Sequence, residues 1–318
     1  MAVLLLCGCG QKSETTAAAP AQAVTAPAAQ SGMARPVNTG VTPEQFGAKG
    51  DGIADDLQAL QAAMQQASAS GRPLELTAGA VYRFSSCLGL PSGLTIRGNG
   101  AVLLSDIQYP DLREDRVAVE LMKDSDDDRA HDVRLENVTF RAADSCQANY
   151  MLRVMLARNV EFVGCTFDCE PNEWGRCAAD LYGGNENIRF EGCVFRQMTS
   201  GASGGIWVRN WTDRVESRNI RFQNCEFYKS GADELLAVWG WGGAVRDVVL
   251  SGCSFYETQT QEGLDAGHRP VWFITLGQSG TTDVRMEDCT VRAEHCETIF
   301  RMVGDKTRAV VDNCDITM

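Results

Sequence analysis

Histidine is nearly missing from this chain, with three in 318 residues. No CxxC pair and no HxxxH pair occurs either, so a zinc site has poor support. Positive charge is scarce as well: 29 Lys and Arg stand against 42 Asp and Glu, a formal net charge of −13. That argues against nucleic acid as a partner, which calls for a basic surface. It also disfavours anionic polymers in general, unless a local Arg cluster overrides it. No apolar run is long enough to span a bilayer. Large apolar residues are almost absent from residues 11–36, which are rich in Ala, Thr, Pro, Gln and Ser. Such a composition cannot bury a core and predicts a flexible tether over 10–40.

What is present is a repeat. The copies are VEFVGCTF (160–167), IRFEGCVF (188–195), IRFQNCEF (220–227), VVLSGCSF (248–255), VRMEDCTV (284–291) and AVVDNCDI (309–316). A seventh, VRLENVTF (133–140), has Val138 where the others have Cys. Apolar and polar residues alternate within each copy, the period of a strand with one buried face. A near-regular recurrence with elastic insertions marks a solenoid in which each repeat is one coil. Stacking the coils predicts a buried column of Cys165, Cys193, Cys225, Cys253, Cys289 and Cys314. Phe140, Phe167, Phe195, Phe227 and Phe255 follow two residues later and predict a second, aromatic column. Cys packs there as a small hydrophobe. Outside the ladder, Cys169 and Cys177 flank a short loop and are candidates for a disulfide, with Cys146 to either of them as the alternative.

The N-terminus carries a likeness of its own. Leu6-Cys7-Gly8-Cys9 resembles the lipobox of bacterial lipoproteins, with Cys9 as the lipidated residue. It lacks a Lys or Arg before the apolar run, and that run is shorter than a normal signal core. The implied organisation is a signal remnant (1–9), a linker (10–40) and one domain (41–318), exported and anchored to a membrane at the periplasmic or cell-surface side.

Residues 45–68 read QFGAKGDGIADDLQALQAAMQQAS. Phe46–Gly52 followed by Asp55-Asp56 resembles the N-terminal signature of the pectate-lyase-like right-handed β-helix superfamily. That superfamily includes polysaccharide lyases, polygalacturonases, epimerases and tailspike depolymerases. The resemblance implies an all-β, right-handed parallel β-helix with an N-terminal capping α-helix. Leu57, Leu60 and Met64 share one face of that helix, predicted over 55–67 with Asp55 as its cap. A fainter likeness to pectate lyases proper falls on residues 231–255. There Asp233 matches a first acid and Ala237 stands where a second is expected. Phe300–Gly304 resembles a later Arg-bearing segment whose first Arg has no counterpart here.

A further strand-like run precedes each repeat: 151–156, 178–182, 206–210, 235–239, 271–276 and 299–303. Alternation predicts that Asp180, Tyr182, Trp207, Arg209, Trp239, Trp272 and Arg301 face outward, with Arg153 joining them if its strand is offset by one residue. Exposed aromatics repeated from coil to coil suit sugar rings. The same residues read without a ligand would pack under long loops. Glycoside hydrolysis needs a carboxylic acid and a carboxylate across the bond. Lyase chemistry needs a base and a cation facing a uronate. The candidates for chemistry are Asp180, Arg209, Asp233, Glu234 and Arg301; those for substrate contact are Tyr182, Trp207, Trp239, Trp272 and His268. The sequence singles out no definite cofactor; calcium is a candidate through the acidic run 124–128, although a solvated loop is the preferred reading of that run. Two functions follow: a polysaccharide lyase or glycoside hydrolase, or a non-catalytic glycan-binding or structural β-helix. The partner is a polysaccharide or oligosaccharide in either of the binding cases. Turnover of any polymer separates the two.

Overall fold

The computed structural model describes residues 40–108, 116–122, 128–169, 177–198, 205–210, 215–229, 234–258, 272–277 and 280–318. Residues from Gly40 onward form one unit. Among the described residues, the strands assemble into three parallel sheets of ten, eight and nine strands. Each coil gives one strand to each sheet, which makes a right-handed parallel β-helix. One coil runs from Ala157–Val163 in the nine-stranded sheet to Thr166–Asp168 in the ten-stranded sheet. It then passes to Cys177–Tyr182 in the eight-stranded sheet, and the next begins at Glu186–Glu191.

The connections differ sharply in length. From Ala130–Glu136 onward, the chain turns from the nine- to the ten-stranded sheet within two residues. From the ten- to the eight-stranded sheet it runs through 169–176, 199–205, 230–235 and 258–271. The longest of these, 258–271, precedes the eight-stranded sheet, while 123–129 and 211–216 leave that sheet for the nine-stranded one. Variable loops on a rigid scaffold are where function gathers.

The core is built of columns. Cys165, Cys193, Cys225, Cys253 and Cys289 are all buried, and Cys314 of the last coil is partly buried. The Sγ of Cys193 donates to the carbonyl of Phe162, and that of Cys225 to the carbonyl of Phe190, so each thiol reaches into the preceding coil. The aromatic column stacks as expected. Phe140, Phe167, Phe195, Phe227 and Phe255 follow one another with ring centroids 5.0, 4.9, 5.0 and 4.6 Å apart. A further aromatic column accompanies it: Phe162, Phe190 and Phe222 stack at 4.8 and 4.9 Å. Its rings meet those of the first edge-on, as in Phe162 against Phe167. Offset and edge-on pairs each add about 0.5–1.5 kcal/mol beyond the area they bury. None of the candidate disulfides among Cys146, Cys169 and Cys177 is formed, and all three side chains are buried. Cys177 packs instead against Trp207 and Ala237 on the outer side of its sheet.

Two corner columns bend each coil. Asp132, Asn159, Asn187, Asn219 and Asp247 have φ between 52° and 57°, the left-handed region that Asn and Asp tolerate best. Asn137, Gly164, Gly192, Asn224, Gly252 and Asp288 hold the second corner, immediately before each ladder Cys or Val138. The first column is also hydrogen-bonded along the axis. Asn159 Nδ2 donates to Asp132 Oδ1, Asn187 to Asn159 and Asn219 to Asn187, at 2.9, 3.0 and 2.5 Å. Replacing Asn219 by Ala is expected to cost about 1–2 kcal/mol of left-handed strain plus its ladder bond. Asn219→Gly keeps the φ and should cost less. Urea midpoints that are equal for Asn219→Ala and the parent would contradict this.

The helix covers the first coil, with a corrected start. It spans Leu57–Ser70, its N-cap is Asp56 rather than Asp55, and it buries Leu57, Leu60, Ala63, Met64 and Ala67. Asp55 still helps by accepting the N–H of Leu57 at 3.2 Å. The Asp56 carboxylate turns back to accept the N–H groups of Lys49 and Gly50 at 2.7 and 3.0 Å. That contact explains why the Gly-rich segment and the second Asp travel together. The segment bends through Gly47, Gly50 and Gly52 at positive φ, and the acid ties the bend to the cap.

Candidate functional site

The strands of the eight-stranded sheet bring polar residues into register on its outer side. Glu120 pairs with Arg153, Arg153 with Asp180, and Asp180 with Trp207; the row continues through Ala237 and Thr275 to Arg301. A parallel row carries Tyr182, Arg209 and Trp239. Both rows follow from alternation: Leu152, Val154, Ala179, Leu181, Ile206 and Val208 take the inner positions and join the core.

The centre of this face is a buried ionic cluster. Asp180 is fully buried, and Arg153 and Arg209 are each only 8 % exposed. Arg209 grips Asp180 with both arms of its fork: Nε donates to Oδ1 and Nη2 to Oδ2, each at 2.8 Å. Arg153 Nε donates to Oδ2 from the other side at 3.1 Å. Burial works against the charge on Arg209, yet the Asp180 carboxylate outweighs it and holds the guanidinium above its ordinary range. Aromatic rings wall the cluster. The Arg209 guanidinium lies 4.3 Å from the Trp207 ring, 5.0 Å from Tyr182 and 5.8 Å from Tyr150. That of Arg153 lies 4.4 Å from Tyr150. Burial pushes the Tyr150 hydroxyl up, with Arg209 partly opposing. Trp207 and Trp239 pack together with centroids 5.5 Å apart.

These positions correct several expectations. Asp180 and Arg209 are brought together, but as partners to each other: both carboxylate oxygens are engaged by guanidinium N–H groups. Trp207 is buried and Trp239 half-buried, so neither is an open platform; Trp207 serves as a bed for Arg209. Glu234 is buried just ahead of strand Leu236–Gly240. Tyr182 is partly buried beside Arg209, as expected of a residue on this face. Arg301 is in the same row, but four coils beyond Asp180, about 19 Å at the ladder spacing. It does not join the cluster. Asp233, His268, Cys9, the side chain of Trp272 and most of the acidic run 124–128 lie outside the described residues.

The sequence reading passed over Tyr150, Glu120 and Thr275, and took Cys177 as a disulfide candidate rather than as part of this face. Glu120 was visible as one carboxylate inside the apolar run Val117–Met122, and Tyr150 as the start of the strand holding Arg153. Glu120 also lies close enough to Cys87 to raise its thiol: burial, then this carboxylate, push it up to about 12. The indole N–H groups of Trp207 and Trp239 and the hydroxyl of Thr275 are buried without a hydrogen-bond partner. Buried donors of this kind are rare and cluster where a ligand or an ordered water completes them. Among the described residues no group of three or more metal-type ligands occurs.

The fold and this face can be set beside known proteins. Residues 41–254 match the profile of the family described as rhamnogalacturonase A/epimerase, pectate lyase-like. No curated protein sequence matches the chain. Among solved structures it is similar to ORF18 of Geobacillus virus E2, with TM-score 0.62 and 16% identity, over 87% of this chain and 57% of that one. The chain thus spans little more than half the length of that viral protein. It is similar also to an endo-xylogalacturonan hydrolase from Aspergillus tubingensis (TM-score 0.44, 12% identity, 87% and 92% covered). The Streptococcus pneumoniae surface adhesin PfbA gives TM-score 0.43 and 11% identity over 88% and 92% of the two chains. At such identities these likenesses speak to the fold alone. The match over residues 41–254, joined to the coil architecture, places the chain in the rhamnogalacturonase A/epimerase, pectate lyase-like family.

Proposed function

We propose that this protein is a polysaccharide-processing enzyme, a lyase or a glycoside hydrolase, whose chain-like substrate lies along the outer side of the eight-stranded sheet. The observation that carries this reading is the buried Arg153–Asp180–Arg209 cluster walled by Tyr150, Tyr182 and Trp207. A solenoid needs no charge there, because adjacent coils are already held by backbone hydrogen bonds and the core columns. Burying three ionic groups gains little stability by itself. The cluster fixes guanidinium and aromatic groups on the outer side of the eight-stranded sheet. That arrangement suits sugar rings, whose apolar faces stack on aromatics and whose hydroxyls take N–H donors. Membership of a family named for a rhamnogalacturonase and an epimerase supports the same class of substrate.

One observation favours binding without catalysis. The Asp180 carboxylate has both oxygens occupied, so any acid or base must come from elsewhere, with Glu120, in register with Arg153, a described candidate. A panel of polysaccharides, read for new reducing ends and for the absorbance of unsaturated uronates, decides between the two. Turnover of a polymer supports the enzyme. Binding with no product from any polymer makes the protein a glycan-binding module. Trp239→Ala is expected to weaken oligosaccharide binding by about 1–3 kcal/mol, measured by calorimetry. An unchanged affinity would remove Trp239 from the site.

We propose also that the protein is exported and anchored by lipid at Cys9. Metabolic labelling with a fatty acid should mark the parent and spare Cys9→Ser. Equal labelling of both would sink the anchor.

A further inference from the structure

The nine-stranded sheet, on a different side of the solenoid, carries a groove on its outer face. It encloses about 390 Å³ and is lined by Asp132, Asn159, Asn187 and Asn219 along one wall and by Arg134, Glu161, Arg189 and Arg221 along the other. The strands place these residues in register over four successive coils, for Glu161 pairs with Arg134 and Arg189, and Arg189 with Arg221. The groove therefore runs parallel to the solenoid axis, with one amide or acid and one charged group per coil at about 4.8 Å intervals.

We infer that this groove is a second polysaccharide-binding site, for a neutral, hydroxyl-rich chain lying extended along the axis. Three features point to that ligand. The first is the repeat. An extended pyranose chain advances by about one strand spacing per ring, so successive sugars meet equivalent groups on successive coils. The second is the donor inventory. Each ladder amide uses one N–H and one carbonyl direction within the ladder, and an amide has two of each. The remaining N–H and lone pair of Asn159 and Asn187 are left for hydroxyls, which both donate and accept. The third is the charge. Arg134 is bound by Glu136 and Glu161, Arg189 by Glu191 and Glu161, and Arg221 by Asp247. These guanidiniums are already neutralised, so the groove has no excess charge with which to attract a polyanion. Arg134, Glu161 and Arg189 side chains remain 36–39 % exposed, so their planar faces and spare N–H groups are accessible. Glu161 is shared between two guanidiniums, and Asp132 on the opposite wall is engaged by Asn159 and His131. The site holds a chain and does not cut it. It would keep a polymer on the protein while the eight-stranded sheet works on it or on another chain.

Affinity electrophoresis through gels containing galactan, glucomannan or dextran, with polygalacturonate as the anionic comparison, tests this. At least one neutral polymer is expected to retard the parent. Asn187→Gly/Arg189→Ala keeps the corner φ and should weaken that retention at least tenfold. Trp239→Ala, which touches only the other face, should leave it intact. Thermal melting checks that the groove variant is folded. Arg221→Gln, a single exposed change one coil further on, serves if it is not, with the same expected direction. The inference is overturned if no neutral polymer retards the parent, if polygalacturonate alone does, or if folded groove variants are retained like the parent. Loss of retention in Trp239→Ala alone would also overturn it. Absence of turnover bears on the other face and leaves this result standing.

Discussion

Replacing Asp180 by Ala is expected to destabilise the protein by about 3–5 kcal/mol, among the largest single effects in the molecule. The substitution leaves Arg153 and Arg209 buried on either side of an absent counter-charge and removes the acceptor of three of their N–H groups. It also removes the attraction that offsets the desolvation of Arg209. Equilibrium urea unfolding measures it, with the parent slope retained. The informative companion is a triple variant, Arg153→Met/Asp180→Leu/Arg209→Met. Apolar groups of similar volume fit among Tyr150, Trp207, Cys177 and Ala237, so this protein should be about as stable as the parent. It should bind no oligosaccharide on the eight-stranded sheet. Such a pair of results separates what the cluster does for folding from what it is kept for. If Asp180→Ala unfolds at the parent midpoint, the cluster is not buried in solution.

A carboxylate inside the thiol column is the second large effect. Cys225 is buried between Cys193 and Cys253, with its Sγ against the carbonyls of Phe190 and Gln223. An Asp there faces the carbonyl oxygens of Phe190 and Gln223 and the sulfurs of its column, with no cation beside it to balance its charge. The cost of an unpaired buried charge is several kcal/mol, enough to consume much of a domain's stability. Cys225→Asp should therefore be largely unfolded at room temperature or melt far below the parent. Cys225→Ala, which removes only a small apolar group, should remain folded. A Cys225→Asp protein with unchanged thermal stability would place that residue outside the core.

How far the sequence was legible varies from element to element. The coil, the Cys and Phe columns and the outer-sheet strands were readable because one-face burial imposes a period of two. Each strand expected from 151–156 to 299–303 is present within about two residues. The Phe162–Phe190–Phe222 column and the Asn corners were in the same repeat, at the third position of each copy and at the residue before it. Both recur once per coil, but that they stack as columns is set by the register between coils. The site was legible only as a list. Alternation assigns Asp180, Trp207 and Arg209 to the outer face, but says nothing of their sideways neighbours. The pairing of Asp180 with Trp207, and hence the reach of Arg209 and Arg153 to one carboxylate, is set by register between coils. The same register puts Arg301 four coils away. Nor does alternation reveal that an outer face is covered, which is why Trp207 was expected in the open and is buried.

The most direct test is a crystal structure of the protein soaked with oligosaccharides from a polymer that it binds. The account predicts sugar rings on the outer side of the eight-stranded sheet, stacked against Trp239 and Tyr182 and in hydrogen-bond reach of Arg153 or Arg209. Sugar density confined to other faces, with these residues untouched, would contradict it.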